Sequence, residues 1–317
     1  MKKILFTLLA LALLPVFVFA QDCPTPDPVT ATVTFKRRSN DPVFSVSGST
    51  KVQFSQGNLQ YTKSTGVWSF MTKQYHRAET NTVWQALGVD YANQDVVSLF
   101  GWATSGNSAS GTYNLPYSTT VDRLHYGESS QSASGEWNAA ISDWGQNMTP
   151  SDYWRTLSAA EWTYLLNTRT TGVTIGGVSN ASWTLARILT DGSGTAGIDN
   201  NILGLIIFPD NYTGGTPAGV TWANINSASG FNTTCTTIGW EELEEAGCVF
   251  LPCSGNRRGP SLQYFDNVNG GFQGYYWTST AVDAGQAYSL QFSSDNCAVS
   301  NGERYDGCSV RLVHVVE

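Results

Sequence analysis

The chain has 317 residues and a net charge of −8 at neutral pH, and only 13% of its residues are charged. An acidic chain without a Lys/Arg-rich stripe is excluded from nucleic acid and from anionic membrane surfaces as its partner. Its 14 Tyr, 14 Phe and 11 Trp exclude a disordered chain, while 31 Gly and abundant Ser, Thr and Asn point to a loop-rich extracellular β or α+β domain.

Met1-Lys2-Lys3, the apolar run Ile4–Phe19 and the small residue Ala20 read as a secretory signal peptide over residues 1–20. The apolar run is short for a membrane span, and no later run is long enough for a transmembrane segment. The expected address is export, to the extracellular space, the cell surface or the periplasm. Cys23 opens a lipoprotein alternative, although Gln21-Asp22 stand where a lipidation signal places small residues. Residues 21–40, with Pro24, Pro26 and Pro28, read as an extended leader, and residues 41–317 as one domain.

Strand patterns follow at Ala31–Phe35, Phe44–Val46 and Lys51–Ser55. After a turn at Gly57-Asn58, Leu59–Tyr61 and Val67–Phe70 continue this opening antiparallel sheet. Thr82–Ala92 is weakly helical. Gly101–Gly145 is a long polar region studded with Trp102, Tyr113, Tyr117, Tyr126, Trp137 and Trp144, which a compact domain tolerates only as a packed functional loop. Ser158-Ala159-Ala160-Glu161 has the form of a capping box, and Trp162, Leu165 and Leu166 then make one apolar stripe, so the first main helix starts after Ser158 and packs on a sheet. Ile202–Phe208 is a buried strand closed by Pro209-Asp210-Asn211. Trp240–Ala246 is a second, acidic helix ended by Gly247, and Cys248–Pro252 is another buried strand.

The last stretch holds two strand patterns. In Tyr288–Ser293, Tyr288, Leu290 and Phe292 share one phase; in Cys308–Val313, Cys308, Val310 and Leu312 share another. Between them Ser294–Gly307 reads as a long polar display loop. Of the six cysteines, Cys297 and Cys308 flank Ala298–Gly307 of this loop and are the expected disulfide pair. Cys248 and Cys253 have opposite side-chain phase and look to other partners.

Catalytic patterns are sparse. His76, His125 and His314 are scattered and imply no metal site. Glu241, Glu242, Glu244 and Glu245 read as a solvated helix face, and Lys36-Arg37-Arg38 and Arg257-Arg258 as solvated loop charges. There is no nucleophile elbow and no phosphate-binding Gly loop. No cofactor is expected. Trp102, Trp137 and Trp144 are candidates for stacking on sugar rings, although Trp in such a domain more often belongs to the core.

The segments FSQGNLQY (54–61), LFGWATSG (99–106), WRTLSAAEWTYLLNTR (154–169), LIIFPDN (205–211), GCVFLPCSGNRRG (247–259), YYWTST (275–280) and GCSVRLV (307–313) together resemble exported Bacteroidetes-type proteins with a C-type-lectin-like domain. WRTLSAAEW also resembles a helix of the formylglycine-generating, sulfatase-modifying proteins. The C-terminal pattern is similar to that of retroelement-diversified ligand-binding proteins. The resemblance implies an α+β, loop-rich C-type-lectin-like fold of antiparallel sheets with two main helices, displaying variable residues on a fixed sheet. The lectin calcium motifs are missing, and the wide spacing of Cys297 and Cys308 departs from the redox centre of the sulfatase-modifying enzymes.

The expected function is therefore an adhesin- or receptor-like ligand-binding module without catalysis, its partner a protein or glycan on a cell surface. The alternatives are a structural envelope or fimbria-associated subunit, or a sulfatase-modifying type of enzyme. The expected ligand surface is the polar phase of the C-terminal sheet and its loops: Asp283, Gln286, Ser289, Gln291, Ser293, Asp295, Asn296, Asn301, Arg304 and Tyr305. Arg304 and Tyr305 are its expected anchors, because Arg and Tyr are enriched among interface hot spots.

Overall fold

The structure is a computed structural model and describes residues 42–76, 95–105, 134–136, 142–150, 153–190, 201–258, 261–264 and 271–316. The elements Ala31–Phe35 and Thr82–Ala92, the basic run Lys36-Arg37-Arg38, and Trp137, His125 and Cys23 lie outside the described residues.

In chain order the strands are β1 (Phe44–Ser45), β2 (Lys51–Phe54), β3 (Leu59–Thr62), β4 (Val67–Phe70), β5 (Val96–Val97), β6 (Gly135–Glu136) and β7 (Arg155–Thr156), followed by helix α1 (Ala159–Thr163). The middle of the chain holds β8 (Thr174–Ile175), β9 (Val178–Ser179), β10 (Trp183–Leu189), β11 (Asn201–Ile207), β12 (Val220–Thr221), β13 (Thr233–Thr236) and helix α2 (Thr237–Glu245). The chain then forms β14 (Val249–Pro252), β15 (Asn256–Arg258), β16 (Ser261–Gln263), β17 (Gly274–Ala281), β18 (Gln286–Phe292), β19 (Cys297–Glu303) and β20 (Leu312–Val316). The molecule is thus mostly antiparallel sheet with two short helices, an α+β, loop-rich architecture.

Three sheets carry it. A central one runs β12-β13-β10-β11-β14, antiparallel except where β10 and β13 run parallel. A second, β1-β2-β20-β7, pairs the opening strand β2 with the last strand β20. A C-terminal sheet runs β19-β18-β17-β6. The opening strands therefore divide: β2 takes β20 as neighbour, and β3 and β4 form a separate sheet with β5 rather than extending the first. Sequence alternation identifies a strand's faces but not its neighbours.

Side-chain alternation sends each sheet's two faces into different cores. On the central sheet Trp183, Leu185, Leu205, Ile207 and Leu251 face a core shared with Trp162, Leu165 and Leu166 of the first helical segment and with Tyr276, Leu290 and Phe292 of the C-terminal sheet. Its other face, Ala186, Ile188, Ile206 and Phe250, packs under Trp240 and Leu243 of α2. The reverse face of the C-terminal sheet, Trp277, Ala281 and Ala287, meets a third core that includes Phe100, Trp102, Trp144 and Val310.

The first helix forms as its sequence dictates. The Ser158 Oγ accepts the Glu161 amide at 3.2 Å, and a Glu161 carboxylate oxygen accepts the Ser158 amide at 2.9 Å. Arg155 grips the same carboxylate with both Nη atoms at 2.6 and 2.8 Å. The segment then widens into a π-helical turn over Tyr164–Thr168, closed by the Arg169 amide on the Tyr164 carbonyl, which leaves both Leu165 and Leu166 buried. Arg169 continues the work: its guanidinium bonds the carbonyls of Ser182 and Phe208 and pairs with Asp210 at 2.9 Å, with almost no solvent contact. Asp210 also accepts the amide and hydroxyl of Ser45, so one ion pair ties the helical segment, the ends of β10 and β11, and β1 together. The second helix is capped by Thr236, whose Oγ1 accepts the Gly239 amide at 3.1 Å, and it ends before Gly247, whose φ of 92° suits glycine.

Candidate functional site

The C-terminal sheet positions every residue of the expected ligand surface. Tyr276, Leu290 and Val299 stand in register across β17, β18 and β19 on one face; Trp277, Ser289 and Ser300 do so on the other. Gly274 faces Phe292, and a Cβ there would lie 2.0 Å from the Phe292 ring, so only glycine lets that ring fold over the strand.

Leu290 and Phe292 are buried and Tyr288 is half-buried, as their phase requires. The opposite phase, however, is not a wet face. Ala287 and Ser289 are buried too, because the sheet is sandwiched between two cores. Ser289 is therefore corrected from a ligand residue to a packed one; its Oγ accepts the Gln291 side-chain amide at 3.0 Å.

Arg304 is the larger correction. It has no exposed surface, its guanidinium lies 4.4 Å from the centroid of the Trp102 ring, and it donates to the backbone carbonyls of Gln286, at 3.2 Å, and Asp283. It braces the β17–β18 turn from inside and is not an exposed anchor. Tyr305 is half-buried beside Asp306, whose carboxylate pairs with Arg258 at 2.9 Å. Arg257, expected in solvent, is 1% exposed.

The expected disulfide is absent: Cys297 and Cys308 are both free thiols. The segment between them is not a plain loop, since it contains β19, which pairs residue by residue with β18. Cys297 sits opposite Phe292 at one end of that strand and packs toward the helix-side core. Cys308 lies past the other end, bridged to Phe100 in the tryptophan-rich core. Cys235, Cys248 and Cys253 form no disulfide either, and each is buried in apolar surroundings. Burial pushes the Cys235 thiol up to about 12 and holds the Cys248 and Cys308 thiols well above the ordinary thiol value, so these groups stay protonated at neutral pH and are poor nucleophiles.

The remaining expected residues fall into two groups at opposite ends of β18, separated by roughly 20 Å for a strand of this length. At one end Ser293, Asp295 and Asn296 form the β18–β19 turn, with the Ser293 hydroxyl donating to Asp295 at 2.7 Å. At the other end Asp283 caps the β17–β18 turn by accepting the amides of Gly285 and Gln286, both at 2.8 Å. Beside it runs a side-chain ladder across the two strands: Asn301 Nδ2 donates to Gln286 Oε1 at 2.8 Å, and Gln286 Nε2 donates to Glu303 Oε1 at 3.1 Å. Tyr288 shares this face; across β17, Glu136 of β6 accepts hydrogen bonds from Thr280 and Ser279. Gln291 lies on the reverse face, where it reaches the Asn301 carbonyl at 3.2 Å.

Glu303 is the member of this row that the sequence did not point to; it joins only through strand register, which no local motif encodes. Arg311 is a second surprise: a cation with 1% exposure that donates to Asn58 and Gln74, with no carboxylate in ion-pair range among the described residues. Burial lowers its pKa to about 10.

Trp102 and Trp144 are fully buried and unavailable to a sugar ring. Among the described residues no cluster of His, Cys, Asp and Glu is placed to hold a metal ion, and no helix is long and apolar enough to cross a membrane. Asp210, the carboxylate of the Pro209-Asp210-Asn211 turn, is consumed by Arg169. Comparison with protein-family models, with curated proteins and with solved structures finds no match to this chain.

Proposed function

We propose that the protein is an exported ligand-binding module with a C-type-lectin-like fold, that it catalyses no reaction, and that it recognises a protein or glycan at a cell surface through the turn-proximal end of its C-terminal sheet. The fold reading is supported by the pairing of β2 with β20, which closes the domain between its opening and final strands, and by the three long antiparallel strands that precede that closure.

The observation that carries the functional reading is the ladder Glu303–Gln286–Asn301 beside Tyr288. These side chains point out from strands whose packing is provided by other residues, and they offer amide, carboxylate and phenol groups in a fixed row. That chemistry suits a ligand rich in hydroxyls or amides, where preformed hydrogen-bonding groups lose little entropy on binding. The surface is polar rather than apolar, so affinity would rest on directional hydrogen bonds with Tyr288 as the one aromatic contact.

The test is a screen of the purified protein against glycan and surface-protein arrays, followed by the double variant Gln286→Ala with Glu303→Ala. The expected outcome is a loss of affinity of at least about tenfold with a nearly unchanged melting temperature. Undiminished binding by the folded double variant places the site elsewhere.

A further inference from the structure

Among the described residues, the C-terminal sheet ends in an unpaired edge. β19 is its outermost strand, and the register with β18 runs unbroken from Gln286↔Glu303 to Phe292↔Cys297. The Ser293 amide bonds the Asn296 carbonyl at 2.9 Å at the closing turn, which sets the phase of the ladder. Ala298, Ser300 and Gly302 thus turn their backbone groups toward β18, while Cys297, Val299 and Asn301 turn theirs outward. No hydrogen bond reaches the outward amides of Cys297, Val299 or Asn301 among the described residues; the Asn301 carbonyl alone is partly engaged, by Gln291.

Folded proteins blunt such edges with Lys, Pro, bulges or covering side chains. This chain does so elsewhere. The outer edge of β14 is plugged by Gln74, whose Oε1 accepts the Phe250 amide at 2.8 Å and whose Nε2 donates to the Cys248 carbonyl at 3.1 Å. Among the described residues β19 has no such plug; it contains no bulge, proline or lysine, and its one charged residue is Glu303 at its end.

We propose that β19 is the interface of a symmetric dimer, pairing antiparallel with β19 of a second copy about a two-fold axis at Val299. On that axis Val299 exchanges both backbone hydrogen bonds with its own mate, and Cys297 of each copy pairs with Asn301 of the other. The interface is therefore self-complementary, as a two-fold contact requires. Antiparallel pairing also sends the two Glu303 carboxylates to opposite ends, whereas parallel pairing would set them side by side.

A second feature points to the same occupant. A two-fold axis perpendicular to the sheet puts both copies' α1 segments on one side of the seam, and α1 lies across β17, β18 and β19. The exposed residues of that segment, Ala160, Thr163, Asn167 and Thr168, carry no charge. The exposed side of α2 presents Glu241, Glu242 and Glu245 instead. Across the middle of β19 uncharged residues meet, and like charge is confined to its two ends, where Glu303 of one copy points toward Asp295 of the other; the acidic α2 face would set like charges along its whole length. Small side chains at Ala298, Ser300 and Gly302 leave room on the reverse face.

Sedimentation of the purified protein over a range of concentrations tests this. The expected result is a reversible dimer whose association strengthens as salt is raised, because two copies of net charge −8 repel at long range and salt screens that repulsion. Amide exchange at Val299 and Asn301 should slow as protein concentration rises. Asn301→Pro removes an outward donor while keeping the backbone bonds between β18 and β19, although it also takes the Asn301 side chain out of the Gln286 row, and it should weaken the dimer at least about tenfold. Ser300→Lys, a charged gatekeeper whose backbone bonds stay intact, should do the same and stands in if the proline variant does not fold. A monomer at every concentration, or a dimer that both folded variants leave unchanged, overturns the proposal.

Discussion

Replacing Arg304 by alanine separates a bracing role from a binding role. The side chain has no solvent contact, stacks 4.4 Å above Trp102 and donates to the carbonyls of Asp283 and Gln286. A desolvated cation–π contact contributes about 2 kcal/mol, and a hydrogen bond from a charged donor about 1.5–3 kcal/mol. The full sum overstates the loss. The Gln286 carbonyl keeps the amides of Val282 and Asp283, and Asp283 is exposed enough for water to replace the guanidinium. Arg304→Ala should therefore destabilise the fold by about 3 kcal/mol, a drop in melting temperature on the order of 10 °C for a domain of this size. Urea unfolding followed by tryptophan fluorescence, with calorimetry alongside, measures both. Arg304→Lys keeps the charge without the planar fork and should recover only part of the loss. A loss below about 1 kcal/mol would refute the bracing role and return Arg304 to the list of surface anchors.

Leu165→Ala empties a fully buried position between the central and C-terminal sheets and should cost about 2–5 kcal/mol; a loss well under 1 kcal/mol in the same unfolding assay would contradict the packing of that face. Glu161 carries a pH signature: burial alone would raise its pKa, but the Arg155 fork, the Ser158 hydrogen bonds and the Arg155 charge outweigh burial and hold it below the usual carboxylate range. Its contribution is present above the unfolded-state pKa and is lost as pH falls through the lower folded-state value. The stability gap between the wild type and Glu161→Gln should be widest at neutral pH and close in acid, and a gap constant with pH would show that the carboxylate does not act through its charge.

What was legible in the sequence was local. The capping box at Ser158, the stripe Trp162–Leu165–Leu166, the strand at Ile202–Phe208 and the acidic helix before Gly247 each signal themselves within a few residues, and each is present. What was not legible depended on register and on what lies across each face. β10 has seven residues buried or nearly so, Trp183–Leu189, without the alternation that marks a half-buried strand, and so it went unread. β19 carries the pattern of a loop because an edge strand needs no apolar phase when its backbone supplies the pairing. The sequence points Arg304 and Arg257 toward solvent and gives no signal for Arg311, since burial of arginine rests on partners such as Trp102, Asn58 and Gln74, all distant in sequence.

A sheet packed on both faces constrains how it can recognise anything. Along β17 and β18 one face is committed to Tyr276, Leu290 and Phe292 and the other to Trp277, Ala281 and Ala287. Neither face can present a broad platform, and a substitution at Ser289 or Arg304 disturbs a core before it alters a surface. The positions left to vary are the turns, at Asp283 and at Asp295 and Asn296, the outward row Gln286, Asn301 and Glu303, and the edge of β19. Turns and row favour contacts at the ends of the strands, and the edge favours backbone pairing along them. These are different modes with different partners, because side-chain hydrogen bonds select a ligand by its chemistry whereas an open edge accepts any extended strand that fits. The uncharged α1 surface beside β19 favours a strand of mostly uncharged side chains, and the chain's own β19, with Glu303 its one charge, meets the requirement.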